Sequence, residues 1–363
     1  MNNKIKYTND DKEFLKALHE KVQSYFDSTD NDKYGGKWLY TKAFIMLLIY
    51  CFCSIYIYYA ANLTQLYACY FLMGPLTVFL ALNIGHEAAH YNFSRNKKLN
   101  NLLVFIFDFL GASGQIWKYK HVHSHHLDTN IYMVDKELEQ PDIVRIFEES
   151  KLRYFHQFQH IYMPFLYSLY ILIWFGLRDF EDYIKLKKEM RTYSPSLHYS
   201  FFIGKFIFIM RMIILPAILL LFGWIHILVA FLVCGIVASI TTTFALISKH
   251  VGEHSEFPVP DSEGNLPHSW IRHQFKTTSD FATNSRLVTA LYGGFNHHLA
   301  HHLFPKVAHV HYPYITPIIK EVSDEYGIPL YSMPTIYGAM SSHFRLLRKR
   351  GQEGEMPLEW MEM

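Results

Sequence analysis

Three short motifs concentrate histidine side chains at spacings suited to metal binding. The first runs from His86 to His90, the second from His121 to His126 and the third from His298 to His302. Each motif contains a pair of histidines four residues apart, and on an α-helix such a pair lies on one face, one turn apart, as metal ligation requires. A metal centre is therefore the chemistry that these residues predict.

The number of candidate ligands predicts two metal ions. The motifs contribute two, three and three histidines, which is more than one ion can hold. Imidazole binds iron, zinc, copper and nickel, so histidine content alone leaves the metal open. The eight candidate ligands in these motifs are His86, His90, His121, His125, His126, His298, His301 and His302.

A ninth candidate ligand, His250, lies outside the motifs. It follows the last long apolar run of the chain, which as a helix would deliver it to the same face of a membrane as the first motif. Three further histidines, His123, His297 and His254, lie near the candidates but outside their helical registers. We expect these three to support the ligands or to lie on the surface.

The elements that must position these histidines are long apolar helices. Half of the 363 residues are hydrophobic and only 18% are charged, which is too apolar for an ordinary soluble domain. The net charge of +2 is small and its basic residues are dispersed, so nucleic acid is not expected as a partner. Four stretches have the length of about 20 residues that crossing a membrane requires; they are residues 41–60, 64–84, 203–222 and 224–246.

The distribution of basic residues predicts the orientation of these four spans. Lysine and arginine are frequent before the first span, within 91–200 and after His250, whereas the two short turns between paired spans have none. The positive-inside rule then places both termini and the histidines on the cytoplasmic side. Two shorter apolar stretches, 99–115 and 161–177, are expected to be interfacial or re-entrant, because a single crossing by either would separate the motifs.

Several residues within the apolar runs are expected to have structural roles. The segment before the first span lacks the layout of a signal peptide, so we expect that span to remain as an anchor. Arg211 lies inside the third span, where it either pairs within the bundle or contacts a lipid headgroup. The four cysteines are expected to be buried packing residues rather than disulfides; they are Cys51, Cys53, Cys69 and Cys234.

The motifs and their flanking residues resemble those of the membrane fatty-acid desaturases, from about Lys37 to Arg350. The histidine motifs have the HxxxH, HxxxHH and HxxHH layout of that family. The matching context consists of Trp117-Lys118, Thr129-Asn130, Pro141-Asp142, Gly293-Gly294 and Asn296. The segments that contain Gln159-His160 and His309 are similar to the bacterial branch described as linoleoyl-CoA desaturase-like.

The resemblance implies an all-α integral membrane fold with four spanning helices in two hairpins beneath a cytoplasmic helical cap. It implies two iron ions held by the eight motif histidines and His250, with O2 and two electrons used to remove hydrogen from an acyl chain. The implied desaturase domain is 41–350, between an N-terminal segment, 1–40, and a tail, 351–363. A bacterial inner membrane is expected rather than the endoplasmic reticulum.

The resemblance also implies partners. The substrate is an acyl-CoA or an acyl lipid within the membrane. The segment before the first span has only His19, and the tail after Pro305 is short, so a fused cytochrome b5 is not expected. An external ferredoxin, or cytochrome b5 with its reductase, would therefore supply the electrons.

Residues beside the motifs are candidates for substrate binding. Trp270 and Gln274, four residues apart before the third motif, are candidates for lining the acyl channel, although Trp270 could equally be a packing residue, and Trp117 is a further candidate. Lys118 and Lys120 are candidates to meet phosphates of a headgroup or of acyl-CoA, the alternative being that they are exposed beside the membrane and only solvated. We assign no catalytic side chain beyond the metal ligands.

Other functions remain open from the residues alone. The same iron pair could hydroxylate or ketolate a lipid. The first motif also reads as His-Glu-x-x-His, with Glu87 as the general base of an intramembrane zinc protease, although this would leave seven histidines unexplained. A metal transporter or histidine-rich binding module is a third class, but transport favours ionisable residues at the membrane midplane.

Overall fold

The computed structural model describes residues 4–139, 141–193, 196–246 and 249–353. Within these residues the chain is mainly helical, with two pairs of short parallel strands. The α-helices are α1 (Lys12–Thr29), α2 (Gly36–Tyr56), α3 (Leu63–Leu80), α4 (Glu87–Ala89), α5 (Lys97–Leu103), α6 (Ile106–Leu110), α7 (Gly114–Lys120), α8 (Gln159–Tyr167), α9 (Tyr170–Ile173), α10 (Asp179–Tyr193), α11 (Leu197–Ile209), α12 (Leu215–Leu219), α13 (Trp224–Leu246), α14 (Trp270–Thr277), α15 (Arg286–Leu291), α16 (His298–Leu303), α17 (Tyr312–Glu325) and α18 (Ile336–Gln352). The strands are β1 (Lys6–Thr8), β2 (Asn265–Ser269), β3 (Asp280–Phe281) and β4 (Ser332–Met333), with β1 beside β2 and β3 beside β4.

Four continuous helices of the described chain are long and apolar enough to cross a membrane. They are Gly36–Tyr59, Leu63–Ala89, Leu197–Leu219 and Trp224–Leu246. The sequence prediction of four such helices is confirmed. The second is longer than predicted because it continues through a π-helical segment, Ala81–His86, into the first histidine motif.

Local sequence explains how the second and fourth helices begin and pack together. The Asn62 side chain accepts a hydrogen bond from the Gln65 amide at 3.0 Å, which caps α3. Gly223, with a φ of 80°, makes the turn before α13. A Cβ atom on Gly74 would lie 2.9 Å from the Cys234 carbonyl oxygen, so glycine permits the close approach of α3 to α13.

The two shorter apolar stretches form bent helix pairs. Lys97–Leu110 and Gly114–His125 meet at 111°, and Tyr154–Tyr167 and Tyr170–Glu189 meet at 77°. Gly111, with a φ of 108°, ends α6 at the first bend. Each bent pair is either a broken span or a re-entrant loop by length and composition, so the expected interfacial placement stays a prediction.

A buried lysine connects the third long helix to both bent pairs. The Lys205 ammonium donates hydrogen bonds to the carbonyl oxygens of Gly111 at 2.6 Å and Phe175 at 2.8 Å, and pairs with the Asp179 carboxylate at 2.6 Å. A charge at this depth is tolerated because all three donors have acceptors. The interaction therefore fixes both bent pairs against α11.

Arg211 also finds its partners within the bundle. Its guanidinium donates to the Ser54 hydroxyl at 2.8 Å and to the Phe109 carbonyl oxygen at 2.8 Å, and lies over the Phe109 ring. The first of the two predicted roles, pairing within the bundle, matches these contacts. The four cysteines are free thiols, and all but Cys51 are buried.

Several of the shorter helices pack together apart from the long ones. A separate apolar core joins α1, α14, α16 and α17. The Asp280 carboxylate accepts a hydrogen bond from the Leu299 amide at 2.8 Å, at the start of α16, which carries the third motif. Burial raises the pKa of Asp280 to about 7, although this hydrogen bond opposes the shift.

Candidate metal centre

The nine predicted ligands converge in the described structure. We define the first histidine group as His86, His90, His121 and His301, and the second as His125, His250, His298 and His302. In each group, the potential ligand atoms lie within 4.8 Å of one another, and every member is buried. The groups form where the end of the second long helix, the first bent pair, the segment after α13 and α16 meet.

In the first histidine group, the imidazole nitrogens crowd around a common point. His86 Nε2 lies 3.1 Å from His121 Nε2 and 3.2 Å from His301 Nε2. His126 lies against this group, with its Nε2 atom 3.2 Å from His121 Nε2 and its ring 4.7 Å from that of His90. Five imidazoles therefore surround the first position.

In the second histidine group, the nitrogens of four imidazoles converge in the same way. His250 Nε2 lies 3.0 Å from His125 Nε2 and 2.8 Å from His298 Nε2. His302 Nε2 lies 3.1 Å from His298 Nε2. His250, which belongs to none of the three motifs, is therefore at the middle of this group.

A π-helical turn distributes the second motif between the groups. Residues His121–His125 form this turn, and the His126 amide donates to the His121 carbonyl oxygen five residues earlier, at 3.2 Å. His121 and His126 therefore lie with the first group, whereas His125 lies in the second. His121 and His125 nevertheless lie on the same side of the turn, as their four-residue spacing predicts, because their rings stack with centroids 5.6 Å apart.

Five ligand histidines have hydrogen-bond partners at Nδ1. A partner there holds the proton on Nδ1 and leaves the Nε2 lone pair facing inward. The partners are Glu137 for His121 (2.7 Å), Asp135 for His125 (2.9 Å), the Thr277 carbonyl oxygen for His250 (3.0 Å), the Tyr312 hydroxyl for His301 (3.2 Å) and Gln274 Oε1 for His302 (2.8 Å).

The converging nitrogens fit bound metal ions. Burial lowers the pKa values of His250, His298, His301 and His302 well below the usual range, with neighbouring positive charges adding to the effect, so their rings are neutral. Neutral lone pairs at 2.8–3.2 Å repel one another unless a cation lies between them. Two nitrogens bound at about 2.1 Å and at right angles to each other are about 3.0 Å apart, whereas tetrahedral ligands are about 3.4 Å apart. Spacings of 2.8–3.2 Å are thus of the size expected for nitrogens that share one ion.

Two apolar cavities adjoin the centre. The first, of about 260 Å³, begins at His125 and His250 and is lined by aromatic and aliphatic side chains of α8, α9 and α13. The second, of about 40 Å³, lies between α3, α6 and α13. Both are lined by Glu137, Trp174, Thr242 and Leu246, so the two cavities are neighbours separated by these side chains.

Two predicted substrate residues from α14 occupy other places. Gln274 is fully buried, and its oxygen accepts from His302. Trp270 packs against the core that joins α14 to α16, and its indole N–H donates to the His126 carbonyl oxygen at 3.4 Å. Neither is among the described residues that line the two apolar cavities. Gln274 instead contacts the His302 ring, and Trp270 contacts the backbone of His126.

The other predicted substrate residues divide between cavity and core. Trp117 lines the second cavity and stacks on the His121 ring at 4.6 Å. Lys118 and Lys120 are buried rather than exposed to headgroups. Lys118 donates to the Tyr91 hydroxyl at 3.0 Å, and Lys120 pairs with Asp182 on α10 at 2.7 Å. The expectation of exposed lysines is corrected, because the second bent pair covers this side of α7.

The three histidines predicted to lie outside the ligand set are placed outside it. His123 is exposed. His297 is buried, with its ring nitrogens 2.9 Å from the Thr316 hydroxyl and 3.3 Å from the Thr289 hydroxyl. His254 stacks on Tyr331 at 4.7 Å.

Sequence reasoning missed the acidic side chains that support the ligands. Asp135 and Glu137 bond to His125 and His121, and both lie in the polar loop directly after the second motif. Two carboxylates so close to three histidines were a usable signal. Tyr312 had no comparable signal, because only tertiary packing brings it to His301.

Glu87 is turned away from the histidine nitrogens. One of its carboxylate oxygens lies 3.2 Å from His309 Nδ1, and His309 Nε2 in turn lies 2.8 Å from the Lys42 ammonium. A zinc protease would need this carboxylate beside the metal to activate water. The geometry therefore does not favour the protease alternative.

Comparisons with known proteins place the site in context. The sequence profile of the family described as Fatty acid desaturase matches residues 60–334. The chain is 30% identical over 359 residues to the sn-1 linoleoyl-lipid 6-desaturase of Synechocystis sp., covering 96% of this chain and 98% of the relative. It is 32% identical to acyl-lipid (8-3)-desaturase B of Dictyostelium discoideum, covering 94% of this chain and 76% of the relative. It is 27% identical to the sn-1 linoleoyl-lipid 6-desaturase of Arthrospira platensis, covering 93% and 92%.

Proposed function

This chain belongs to the fatty acid desaturase family and is a fatty acid desaturase, and we propose that it uses two iron ions and O2 to introduce a double bond into the acyl chain of a membrane lipid. The observation that carries the metal assignment is the convergence of nine imidazoles whose neighbouring Nε2 atoms are 2.8–3.2 Å apart. Nine imidazoles around two positions exceed the four ligands of a tetrahedral zinc site, which supports iron over zinc.

We assign the nine histidines as the metal ligands. The first ion is held by the first histidine group with His126, and the second ion by the second histidine group. When bound, the two ions supply the oxidising power that removal of hydrogen from an unactivated methylene requires. The Nδ1 partners of five ligands fix the orientation of those rings, with Nε2 turned towards the ions.

The apolar cavities position the substrate and exclude water. A lipid acyl chain that enters the first cavity reaches Leu246 and Trp174 beside the second histidine group and extends into the second cavity. Fixing one methylene beside the metal centre turns an intermolecular encounter into an effectively unimolecular step. Trp117, which lines the second cavity and stacks on His121, contacts both the chain and a ligand.

The substrate carrier is proposed from the relatives. Those described above are named acyl-lipid or linoleoyl-lipid desaturases, so we assign an acyl lipid rather than acyl-CoA. Since O2 reduction to water needs two electrons beyond those taken from the acyl chain, an external donor is required. We propose a ferredoxin, or cytochrome b5 with its reductase.

We propose that the four long helices form two hairpins in a bacterial inner membrane. The desaturase domain is residues 41–350, and the helices that share the apolar core of α14, α16 and α17 form a cytoplasmic cap over the histidines. Both termini are then cytoplasmic. This orientation follows from the basic residues outside the two short turns.

The test is expression in a desaturase-deficient host, followed by lipid mass spectrometry that locates double bonds. A new double bond in membrane lipids that disappears in His301→Ala is the expected result. Metal analysis of the purified protein should give about two irons per chain. One zinc per chain and no lipid product would refute the proposal, and a hydroxylated or ketolated product would assign the other activity considered for this scaffold.

A further inference from the structure

The first cavity has an opening beside the second bent pair. Its inner end is buried at His125 and His250. Ile143 and Ile173 also line this cavity, yet they are 44% and 42% exposed. These two side chains therefore mark the mouth of the cavity, which lies between the loop after the second motif and helix α9.

The surface near the mouth is apolar. Ile161 and Phe165, one turn apart on α8, are 65% and 67% exposed, and Leu177, one turn beyond Ile173, is 63% exposed. Exposed apolar side chains in such numbers mark contact with a membrane or a partner. Because the second bent pair is apolar enough to be a broken span or a re-entrant loop, the bilayer is the neighbour that fits. The mouth therefore suits entry of an acyl chain from the bilayer.

A cationic side chain lies at this mouth. Arg178 lines the first cavity, is partly exposed, and ends the π-helical segment Trp174–Arg178. Its guanidinium donates a hydrogen bond to the Glu139 carbonyl oxygen, which connects it to the loop on the other side of the mouth. Lys249 also lines the cavity, but it is buried and lies over the Phe295 ring at 4.2 Å.

The carboxylates near Arg178 have other partners. Glu137, the acidic residue that lines the cavity, bonds to His121. The remaining pairs are Glu139 with Lys185 (2.9 Å), Asp179 with Lys205 (2.6 Å) and Asp182 with Lys120 (2.7 Å). Among the described residues, none forms an ion pair with Arg178. A guanidinium without a carboxylate partner at an apolar surface favours an anionic ligand.

The single cation at the mouth suits a phosphodiester better than the phosphates of acyl-CoA. Arginine binds phosphate through two parallel N–H···O hydrogen bonds. The phosphodiester of a membrane lipid has one negative charge, which one guanidinium matches. CoA has a diphosphate and a further phosphate, whereas the exposed side chains at the mouth, Ile143 and Ile173, offer no second cation.

We propose that Arg178 binds the phosphate of a phospholipid substrate at the mouth of the first cavity, so that the attached acyl chain enters from the bilayer and runs inward to His125 and His250. This inference rests on the proposed function and names the headgroup chemistry of its acyl lipid. The phosphate contact holds one end of the lipid and so limits which methylene reaches the metal centre.

The first experiment measures lipid binding by full-length Arg178→Gln and Lys187→Gln. Lys187 is an exposed cation on α10 and is not among the residues that line either cavity, so its variant is a control for loss of charge. Native mass spectrometry in detergent gives the Kd for a phosphatidylglycerol and for the diacylglycerol with the same acyl chains. We expect Arg178→Gln to weaken phosphatidylglycerol binding by about tenfold or more, because a hydrogen-bonded charge is lost. Its diacylglycerol binding should be unchanged, and Lys187→Gln should bind both lipids as the wild type does.

The second experiment uses the wild-type protein, so it does not depend on the folding of a variant. Phenylglyoxal modifies accessible arginine side chains, and mass spectrometry locates the modified residues. Phosphatidylglycerol should protect Arg178 and the matching diacylglycerol should not, whereas the exposed Arg286 should be modified equally throughout.

Three results would overturn the proposal. Equal modification of Arg178 with and without phosphatidylglycerol would show that the phosphate binds elsewhere. Equal weakening of both lipids in Arg178→Gln would make Arg178 a structural residue. Stronger protection of Arg178 by acyl-CoA than by phosphatidylglycerol would assign the phosphate to CoA.

These outcomes are separable from failure of the proposed function. Absence of any unsaturated product from the wild-type protein would refute the proposed reaction, whichever lipid is bound. Normal product from the wild type, together with unchanged phosphatidylglycerol binding in Arg178→Gln, would leave the reaction intact and refute only the headgroup contact.

Discussion

Replacing Asp135 with asparagine should disrupt the second histidine group without changing side-chain size. Asp135 is buried, and its Oδ2 atom accepts hydrogen bonds from His125 Nδ1 at 2.9 Å and from the Asn130 amide at 3.0 Å. Its Oδ1 atom accepts from the amides of Glu137 at 3.0 Å and Leu138 at 3.4 Å. All of the partners are donors, so both carboxylate oxygens are needed as acceptors.

The expected loss in the free energy of unfolding follows from these four hydrogen bonds. In either orientation of the asparagine amide, its NH2 group faces two donors that have lost their acceptor. Each buried unsatisfied donor costs about 1–3 kcal/mol, so we expect a loss of about 2–6 kcal/mol in the free energy of unfolding. Loss of the carboxylate behind His125 should also weaken metal binding by about 10–100-fold.

The assay measures iron per chain and thermal unfolding of the purified protein in detergent. The matched control is Asp142→Asn, because Asp142 is an exposed aspartate that pairs with Arg153 at 2.7 Å nearby in the chain. We expect the control variant to retain its iron content and its unfolding midpoint. An Asp135→Asn variant with full iron content and a wild-type unfolding midpoint would refute the reasoning, since the carboxylate would then be dispensable to the second group.

Three other predictions address the site, the topology and the acid stability. His250→Ala should lose at least half of the iron and nearly all lipid product, whereas His254→Ala should lose neither; equal behaviour of the two variants would contradict the ninth-ligand assignment. In a background without the native cysteines, a cysteine at Arg95 should be labelled from the cytoplasmic side and one at Asn62 from the opposite side, and labelling of both from one side would disprove the proposed hairpin. The Asp11 carboxylate accepts a hydrogen bond from the Arg272 guanidinium, and this bond, assisted by other polar contacts, lowers the pKa of Asp11 despite partial burial. The stabilisation from this ion pair is therefore present at neutral pH and is lost as pH falls below the ordinary pKa of 3.8. Asp11→Asn should therefore lower the unfolding midpoint at pH 7 and converge on wild type in acid, and a constant difference across that range would show that the charge contributes nothing.

The long helices could be predicted because apolar length is a local property. The first and third span began about five residues earlier than expected, at Gly36 and Leu197, since polar or aromatic residues flank the apolar runs and still continue the helices. The first bend could be suspected from Gly111 and Gly114, whereas the second lies at Ser168 and Leu169, where no glycine indicates it. Their angles depend on Lys205, which the sequence alone does not pair with any carbonyl oxygen.

The candidate site was predictable in membership but not in arrangement. The histidine motifs and the position of His250 after an apolar run identified all nine members of the converging cluster. The π-helical turn at His121–His125 determines which histidine group each imidazole of the second motif faces. No residue pattern predicts that turn. The burial of Lys120 against Asp182 was likewise missed, because the partner is 62 residues away and reaches it only through the second bent pair.

The second motif serves two metal positions from one short segment. His121 and His126 lie with the first histidine group, whereas His125 lies in the second. The third motif divides in the same way on the regular helix α16, with His301 in the first group and His298 and His302 in the second. Each of these two segments is therefore a wall shared by two metal positions, so an insertion or deletion in either segment would disturb both positions at once.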